Sequence, residues 1–299
     1  MRTRALIAAA LVAALVGCGG GSDESKKKAT LPTITIGTKN FTEQYILGEL
    51  YAQTLRKAGF HVILKSDIGS SEIIDKALTA GSLDMYPEYT GVLLSEIAGD
   101  RRRPRTAQEA YRRAKAFEEK RGFTMLKWTP FSDSNALAVL PEYAKKHRLR
   151  TIQDLKKVHG LRLGALPEFQ ARFEGSVGLR TVYGLDGYRF VPLQFPARYG
   201  ALDNGKVDVL AVFTTEGQLS ASRYRVLSDP RNLFAFQNLA PVIRRDLARK
   251  YGRALTGPLD SISRRLTTDV MRRMNAEVDL SGKKPADVAA RFIKTGNPG

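Results

Sequence analysis

The stretch DMYPEYTG, residues 84–91, sets Tyr86 and Tyr89 on either side of Pro87-Glu88. Pro87 and Gly91 exclude a regular helix here, so the segment after a strand-like SLDM reads as a rigid turn that displays aromatic rings. Rings at a cleft bind a cation through their π-faces, best a quaternary ammonium, each worth about 0.5–2 kcal/mol when desolvated. Several rings are therefore needed. Core packing is the competing use for Tyr86 and Tyr89. Two other stretches suit an anion. GTKNFTE places Gly37, Thr38 and Lys39 before a helix start, where free N–H groups and the ammonium attract negative charge. EFQARF places Arg172 in the first turn of an expected helix, and a guanidinium suits bidentate binding of a carboxylate. A bare helix cap and a solvated surface arginine are the alternatives for these two.

Catalytic signals are thin. His61, His147 and His159 are the three histidines, and none sits in a nucleophile or metal pattern. HExxH, CxxC and GxSxG are absent. GALDNGKV, residues 200–207, approaches a phosphate loop but ends in Val207 where magnesium needs Ser or Thr, and Lys206 leads into a strand. No catalytic residue, cofactor or metal is expected.

These residues need a frame. TITIG, residues 33–37, alternates as a strand with Ile34 and Ile36 on one face. Asn40 or Thr42 is positioned to cap the next helix, in which Ile46, Leu47, Leu50, Tyr51, Leu55 and Ala58 recur at helical spacing up to Gly59. HVILK is a second strand, SSEIIDKALTAG a helix opened by Ser70 or Ser71, and SLDMY a third strand. That β-α-β-α-β order implies a parallel sheet with right-handed crossovers. The pattern returns with strands at 136–140, 161–164, 189–192 and 207–213, and helices near 151–157, 170–183 and 197–204. The last third reads as helices at 244–254, 258–275 and 285–295. ALTAGSLDM (77–85) and ALDNGKVDV (201–209) echo one another at an offset of 124 residues, which carries Tyr89-Thr90 onto Phe213-Thr214. Ligands of open parallel sheets sit outside the carboxyl ends of the strands, so two such halves would offer a ring from each side of a cleft.

The chain of 299 residues is long enough for two domains. A net charge of +18 first suggests nucleic acid. The amino terminus argues otherwise. Arg2 and Arg4 precede an apolar run, residues 5–16, too short for a comfortable membrane span and suited to a secretory signal. Leu15-Val16-Gly17-Cys18 resembles a bacterial lipobox, which makes Cys18 a lipidated first residue and residues 1–17 a signal peptide. Cys18 is the sole cysteine, so the exported part has no disulfide. Gly, Ser and charge without periodicity make residues 18–32 a flexible tether. Outside the cytoplasm, anionic lipid headgroups are a better partner than nucleic acid for the basic chain. RRRPR, residues 101–105, is its densest patch, read as a solvated loop or as a membrane or partner contact.

At GTKNFTEQYILGELYAQTL, LDMYPEYTG, VLAVFTTEGQL and MNAEVDLSGKKPADVAARFI the chain resembles the substrate-binding proteins of osmoprotectant ABC importers, which capture glycine betaine, choline, carnitine and related compounds. The resemblance runs from about Thr33 to the carboxyl end. It implies an α/β periplasmic-binding-protein type II fold with lobe one at 33–131 plus 237–299 and lobe two at 132–236. It also implies a monomeric, non-enzymatic receptor, exported, lipid-anchored, and working beside an ABC permease and its ATPase subunits. By resemblance Tyr89 is the first ring of a four-tyrosine cage, and Lys39 and Arg172 hold a carboxylate. The second cage position is Asn135, with Asp133 beside it; the third is Phe213, followed by Thr214; the fourth is Phe236. A threonine that binds carboxylate in some members is Val92 here. One Tyr, two Phe and one Asn make a weaker cage than four tyrosines, so the ligand reading is a quaternary amine such as glycine betaine or, alternatively, a bulkier amine such as carnitine, choline or ergothioneine. An exported hydrolase on the same fold is the remote alternative, and the missing nucleophile–base pair argues against it.

Overall fold

A computed structural model describes residues 31–297 except 221, 222 and 235. The signal segment, Cys18 and the tether as far as residue 30 lie outside the described residues. Among the described residues no helix is long and apolar enough to cross a membrane.

Two five-stranded sheets share one topology. The first runs β2-β1-β3-β10-β4, from β1 (Thr33–Gly37), β2 (His61–Lys65), β3 (Met85–Tyr89), β4 (Phe123–Met125) and β10 (Leu239–Arg244). The second runs β7-β6-β8-β5-β9, from β5 (Asn135–Val139), β6 (Arg162–Ala165), β7 (Arg189–Pro192), β8 (Val209–Phe213) and β9 (Arg225–Leu227). In each, three parallel strands are followed by one antiparallel strand and a short edge strand. The 124-residue offset carries β3 onto β8, the central strand of each sheet. The repeat thus has a structural basis, and Tyr89 and Phe213 both stand at a strand's carboxyl end.

Helices cover both faces, as parallel strands require. On one face of the first sheet Ile34 and Ile36 meet Ile46, Leu47, Leu50 and Leu55 of α1 (Thr42–Lys57). Helix Pro285–Thr295 adds Val288 and Phe292 to that cluster. On the other face Tyr86 and Val242 pack against Ile74 and Leu78 of α2 (Ser71–Thr79).

Several expectations are corrected. The segment read as a turn is the strand β3, because Pro87 lies opposite Pro241. Neither residue has an N–H, so the pair occupies a non-hydrogen-bonded position of the antiparallel ladder and costs it nothing. Alternation then sends Tyr86 into the core and Tyr89 to the opposite face. Phe41, not Asn40 or Thr42, is the cap residue of α1, and the Thr42 hydroxyl donates instead to Asp279 at 2.6 Å. Ser70 caps α2 by position, but its hydroxyl donates to Glu72. Arg172 is extended rather than helical. The helix expected at 170–183 is broken at Gly175, where an added Cβ would stand 2.0 Å from the Phe169 carbonyl oxygen. Near the end, one helix Arg245–Ser263 runs on through a kink at Gly252, and the Thr267 hydroxyl caps a new helix, Thr268–Asp279.

The chain crosses between the sheets twice, after β4 and after β9. The two crossings lie side by side. Ser132 and Asn238 form an antiparallel bridge, the Asp133 N–H donates to the Gln237 carbonyl at 3.1 Å, and the Asn238 amide donates to the carbonyls of Thr129 and Phe131.

Candidate functional site

Where the carboxyl ends of β3 and β8 face each other, four rings converge. Phe41, just before α1, stacks on Tyr89 at 6.3 Å between centroids, on Phe213 at 5.6 Å and on Phe195 at 5.4 Å. Phe195 and Phe213 stack at 6.2 Å. Phe41 and Tyr89 come from the first sheet's half of the chain, Phe195 and Phe213 from the second's. Phe41, Phe195 and Phe213 are a wall common to two cavities.

The smaller cavity, about 40 Å³, is also lined by Lys39, Ser71, Tyr89, Val92 and Arg172. Lys39 Nζ pairs with Glu88 and stands 4.5 Å from the Tyr89 ring centroid. Burial pulls its ammonium below the usual value against the pull of Glu88. Arg172 reaches across the halves, donating from Nε at 3.1 Å and Nη2 at 2.8 Å to the Glu72 carboxylate on α2. Burial would raise the Glu72 carboxyl, but the hydrogen bonds from Arg172 outweigh it and hold the group at about 2. Two cations from different halves, beside aromatic faces, suit a ligand carrying a carboxylate and a quaternary nitrogen.

The larger cavity, about 340 Å³, adds Glu43, Asp133, Arg198, Glu216 and Asn275 to the ring wall. Buried Glu43 accepts from the Tyr89 hydroxyl at 2.7 Å, the Thr215 hydroxyl at 2.5 Å and the Asn275 amide at 3.0 Å. Tyr89 is thereby fixed between the two cavities.

Of the residues expected from sequence, Lys39, Tyr89, Arg172 and Phe213 come together around the smaller cavity, and Asp133 lines the larger. Asn135, Thr214 and Phe236 line neither. Asn135 opens β5 opposite Phe213 and donates weakly to the Glu174 carbonyl at 3.4 Å. The Thr214 hydroxyl accepts from the Ser134 N–H, and the ring of Phe236, at a φ of 59°, packs against the core cluster of Tyr86. Phe41 and Phe195 join Tyr89 and Phe213 in the ring stack. Phe41 lies inside GTKNFTE, so its signal was present; Phe195 had none beyond being an aromatic residue before a short helix. Of the basic run, Arg102 pairs with Asp100, and Arg103 donates to the Arg231 carbonyl in the other half.

Beside the crossings, Gln237 links the halves. Its Oε1 accepts from the N–H groups of Gly91 and Val92 at 3.0 Å each, and its amide donates to Glu174. A Cβ at Gly91 would stand 2.3 Å from Gln237 Nε2, so a side chain there would push this amide off its partners. Burial, reinforced by the charge of Glu96, pushes Glu174 from 4.5 up to about 8. The folded protein therefore holds this proton while the unfolded chain has lost it. Stability is greatest below about pH 4.5 for this group and falls as pH rises towards 8, by a few kcal/mol at most. Thermal melts of Glu174→Gln should lose that decline; a slope identical to wild type between these pH values would remove Glu174 as its source.

Among the described residues no group of three or more His, Cys, Asp or Glu is placed to hold a metal ion. A family model described as the substrate-binding domain of the ABC-type glycine betaine transport system matches residues 32–295. A glycine-betaine-binding protein of Pseudomonas aeruginosa is 34% identical over 278 residues, covering 89% of this chain and 88% of the relative. An ergothioneine transport permease/ergothioneine binding protein of Helicobacter pylori is 29% identical over 266 residues, covering 87% of this chain and 47% of that longer protein. Among solved structures, a glycine betaine/carnitine/choline ABC transporter superposes with a TM-score of 0.71 at 27% identity, covering 89% of this chain and 98% of that one. The two-sheet architecture is the periplasmic-binding-protein type II fold.

Proposed function

Because the chain belongs to the substrate-binding domain family of ABC-type glycine betaine transport systems, we propose that it captures a quaternary amine between its two sheets and delivers it to an ABC permease without altering it. The observation that carries this is the meeting of Lys39, Arg172 and the ring wall at one cavity, contributed by both halves of the chain. The carboxylate goes to Lys39 and Arg172, and the quaternary nitrogen to the faces of Tyr89, Phe41 and Phe213. Residues 33–131 with 237–299 act as one lobe and 132–236 as the other. The paired crossings are the hinge, and a ligand that touches both lobes favours the closed arrangement. Calorimetric titration with glycine betaine, choline, carnitine, proline betaine and ergothioneine tests the reading; no saturable binding by any of them sinks it. A bulkier amine is the second reading, favoured by the larger cavity across the ring wall.

The protein is exported and held to the membrane as a monomer through lipid on Cys18, a reading supported by the apolar run and small residues before that cysteine. Cys18→Ala should move it from the detergent phase to the aqueous phase while its melting temperature stays constant. Unchanged partitioning would refute the anchor.

A further inference from the structure

Lys39 occupies an adverse place for a lysine. It is 4% exposed, it shares the smaller cavity with the guanidinium of Arg172, and among the described residues its ammonium has one hydrogen-bond partner, Glu88. Burial is the largest influence on this group and draws it towards the neutral amine; Glu88 pulls back, and the charge of Arg172 adds to burial. A neutral amine would offer a carboxylate no charge.

Glu88 is fully buried in β3, does not line the cavity, and is anchored independently of Lys39. Its Oε1 accepts from the Tyr89 N–H at 2.7 Å and from the Ser71 hydroxyl, at the start of α2, at 3.4 Å. Oε2 has no hydrogen-bond partner, so every contact converges on the oxygen that meets Lys39. Glu88 takes one of the three ammonium N–H groups and leaves two for a ligand. It also ties down the backbone of Tyr89, whose ring centroid lies 4.5 Å from Lys39 Nζ. A buried ion pair adds little net stability, so folding alone is a poor reason for a carboxylate here.

We propose that Glu88 is a positioning residue for the carboxylate end of the cleft: it holds the Lys39 ammonium aimed at the smaller cavity and does not itself touch the ligand. It rests on the transport reading above and adds a residue one step behind that site. By opposing burial, Glu88 also keeps the ammonium charged. The other charged groups on the cavity are Glu72 from α2 and Glu168 and Arg172 from the other half, and Glu72 is taken up by Arg172.

Glu88→Gln keeps the side chain's shape and an oxygen for the Tyr89 N–H, and removes the charge. Its affinity for glycine betaine, read by calorimetric titration, should come closest to wild type at about pH 6. It should fall to about tenfold or more below wild type by about pH 8–9, because an uncompensated buried lysine sheds its proton in this range and the carboxylate then loses a charged partner. At neutral pH the variant should take up a proton on binding betaine, so its heat varies with the ionisation enthalpy of the buffer. Choline, which has no carboxylate to offer Lys39, should not follow this fall. Glu88→Asp keeps the charge but draws it back by one methylene, and should move betaine in the same direction by less. Wild-type protein should bind betaine at neutral pH with a heat independent of the buffer, a measurement that stands even where neither variant folds. A betaine loss that is the same at every pH or shared by choline would make Glu88 purely structural and overturn the proposal. Wild-type affinity throughout in Glu88→Gln overturns it too, as does proton uptake by the wild-type protein at neutral pH. Each of these leaves the transport reading standing, whereas failure of the wild-type protein to bind any of the amine panel removes that reading and this proposal together.

Discussion

Arg172→Ala should weaken glycine betaine by roughly 1.5–3 kcal/mol, about ten- to 150-fold, and leave choline nearly untouched. A guanidinium hydrogen bond to a carboxylate is charge-assisted, and choline has no carboxylate to lose. Arg172 already donates to Glu72 through Nε and Nη2, leaving its other N–H groups for a ligand. Glu72 is also a competitor. Glu72→Gln lowers that competition, so it should strengthen glycine betaine or leave it unchanged, the opposite sign to Arg172→Ala. The Glu72 side chain is 38% exposed, so it returns to water when Arg172 is removed and the fold survives. Calorimetry on both variants reads the two signs; equal losses of betaine and choline in Arg172→Ala would make Arg172 a purely structural residue.

Phe41→Ala should instead weaken both ligands. Phe41 is the ring that touches Tyr89, Phe195 and Phe213, so its removal takes away one π-face and the stacking that orients the others. One ring is worth about 0.5–2 kcal/mol, so the loss is about two- to thirtyfold for each quaternary amine. Phe41→Leu separates the causes. Leucine keeps apolar bulk without a π-face, so it should lose nearly as much affinity as alanine. Recovery of wild-type affinity in Phe41→Leu would show that the position supplies only packing.

Much of this site was legible in the sequence wherever the signal was local. Lys39, Tyr89 and Phe213 sit at or just past ends of strands that flanking helices announce, and β1 and α1 carry clean period-two and helical patterns. The repeat located Phe213 from Tyr89 because β3 and β8 occupy the same place in two copies of one topology. What was missed depends on pairing between distant residues. Pro87 reads as a strand breaker until Pro241 is seen opposite it. Phe195 and Asn275 reach the ring wall and its cavity only through tertiary packing, and no spacing near either residue reports it. The sequence pattern implies one helix from 170 to 183 with Arg172 in its first turn, whereas Arg172 is extended and the backbone is non-helical at Glu174 and Gly175, where no Cβ fits beside the Phe169 carbonyl. The positions of Asn135 and Phe236 rest on resemblance alone, and here Phe236, at a positive φ, lies partly buried against the core cluster of Tyr86.

In the bound state a ligand's cation is expected on the rings and its carboxylate between the two halves of the chain. The most direct measurement is a crystal structure of the protein with glycine betaine bound. The carboxylate should lie within hydrogen-bond distance of both Lys39 Nζ and Arg172, and the quaternary nitrogen within about 6 Å of the centroids of Tyr89, Phe41 or Phe213. Glycine betaine bound with its carboxylate away from both cations, or with its nitrogen away from the ring wall, would contradict it.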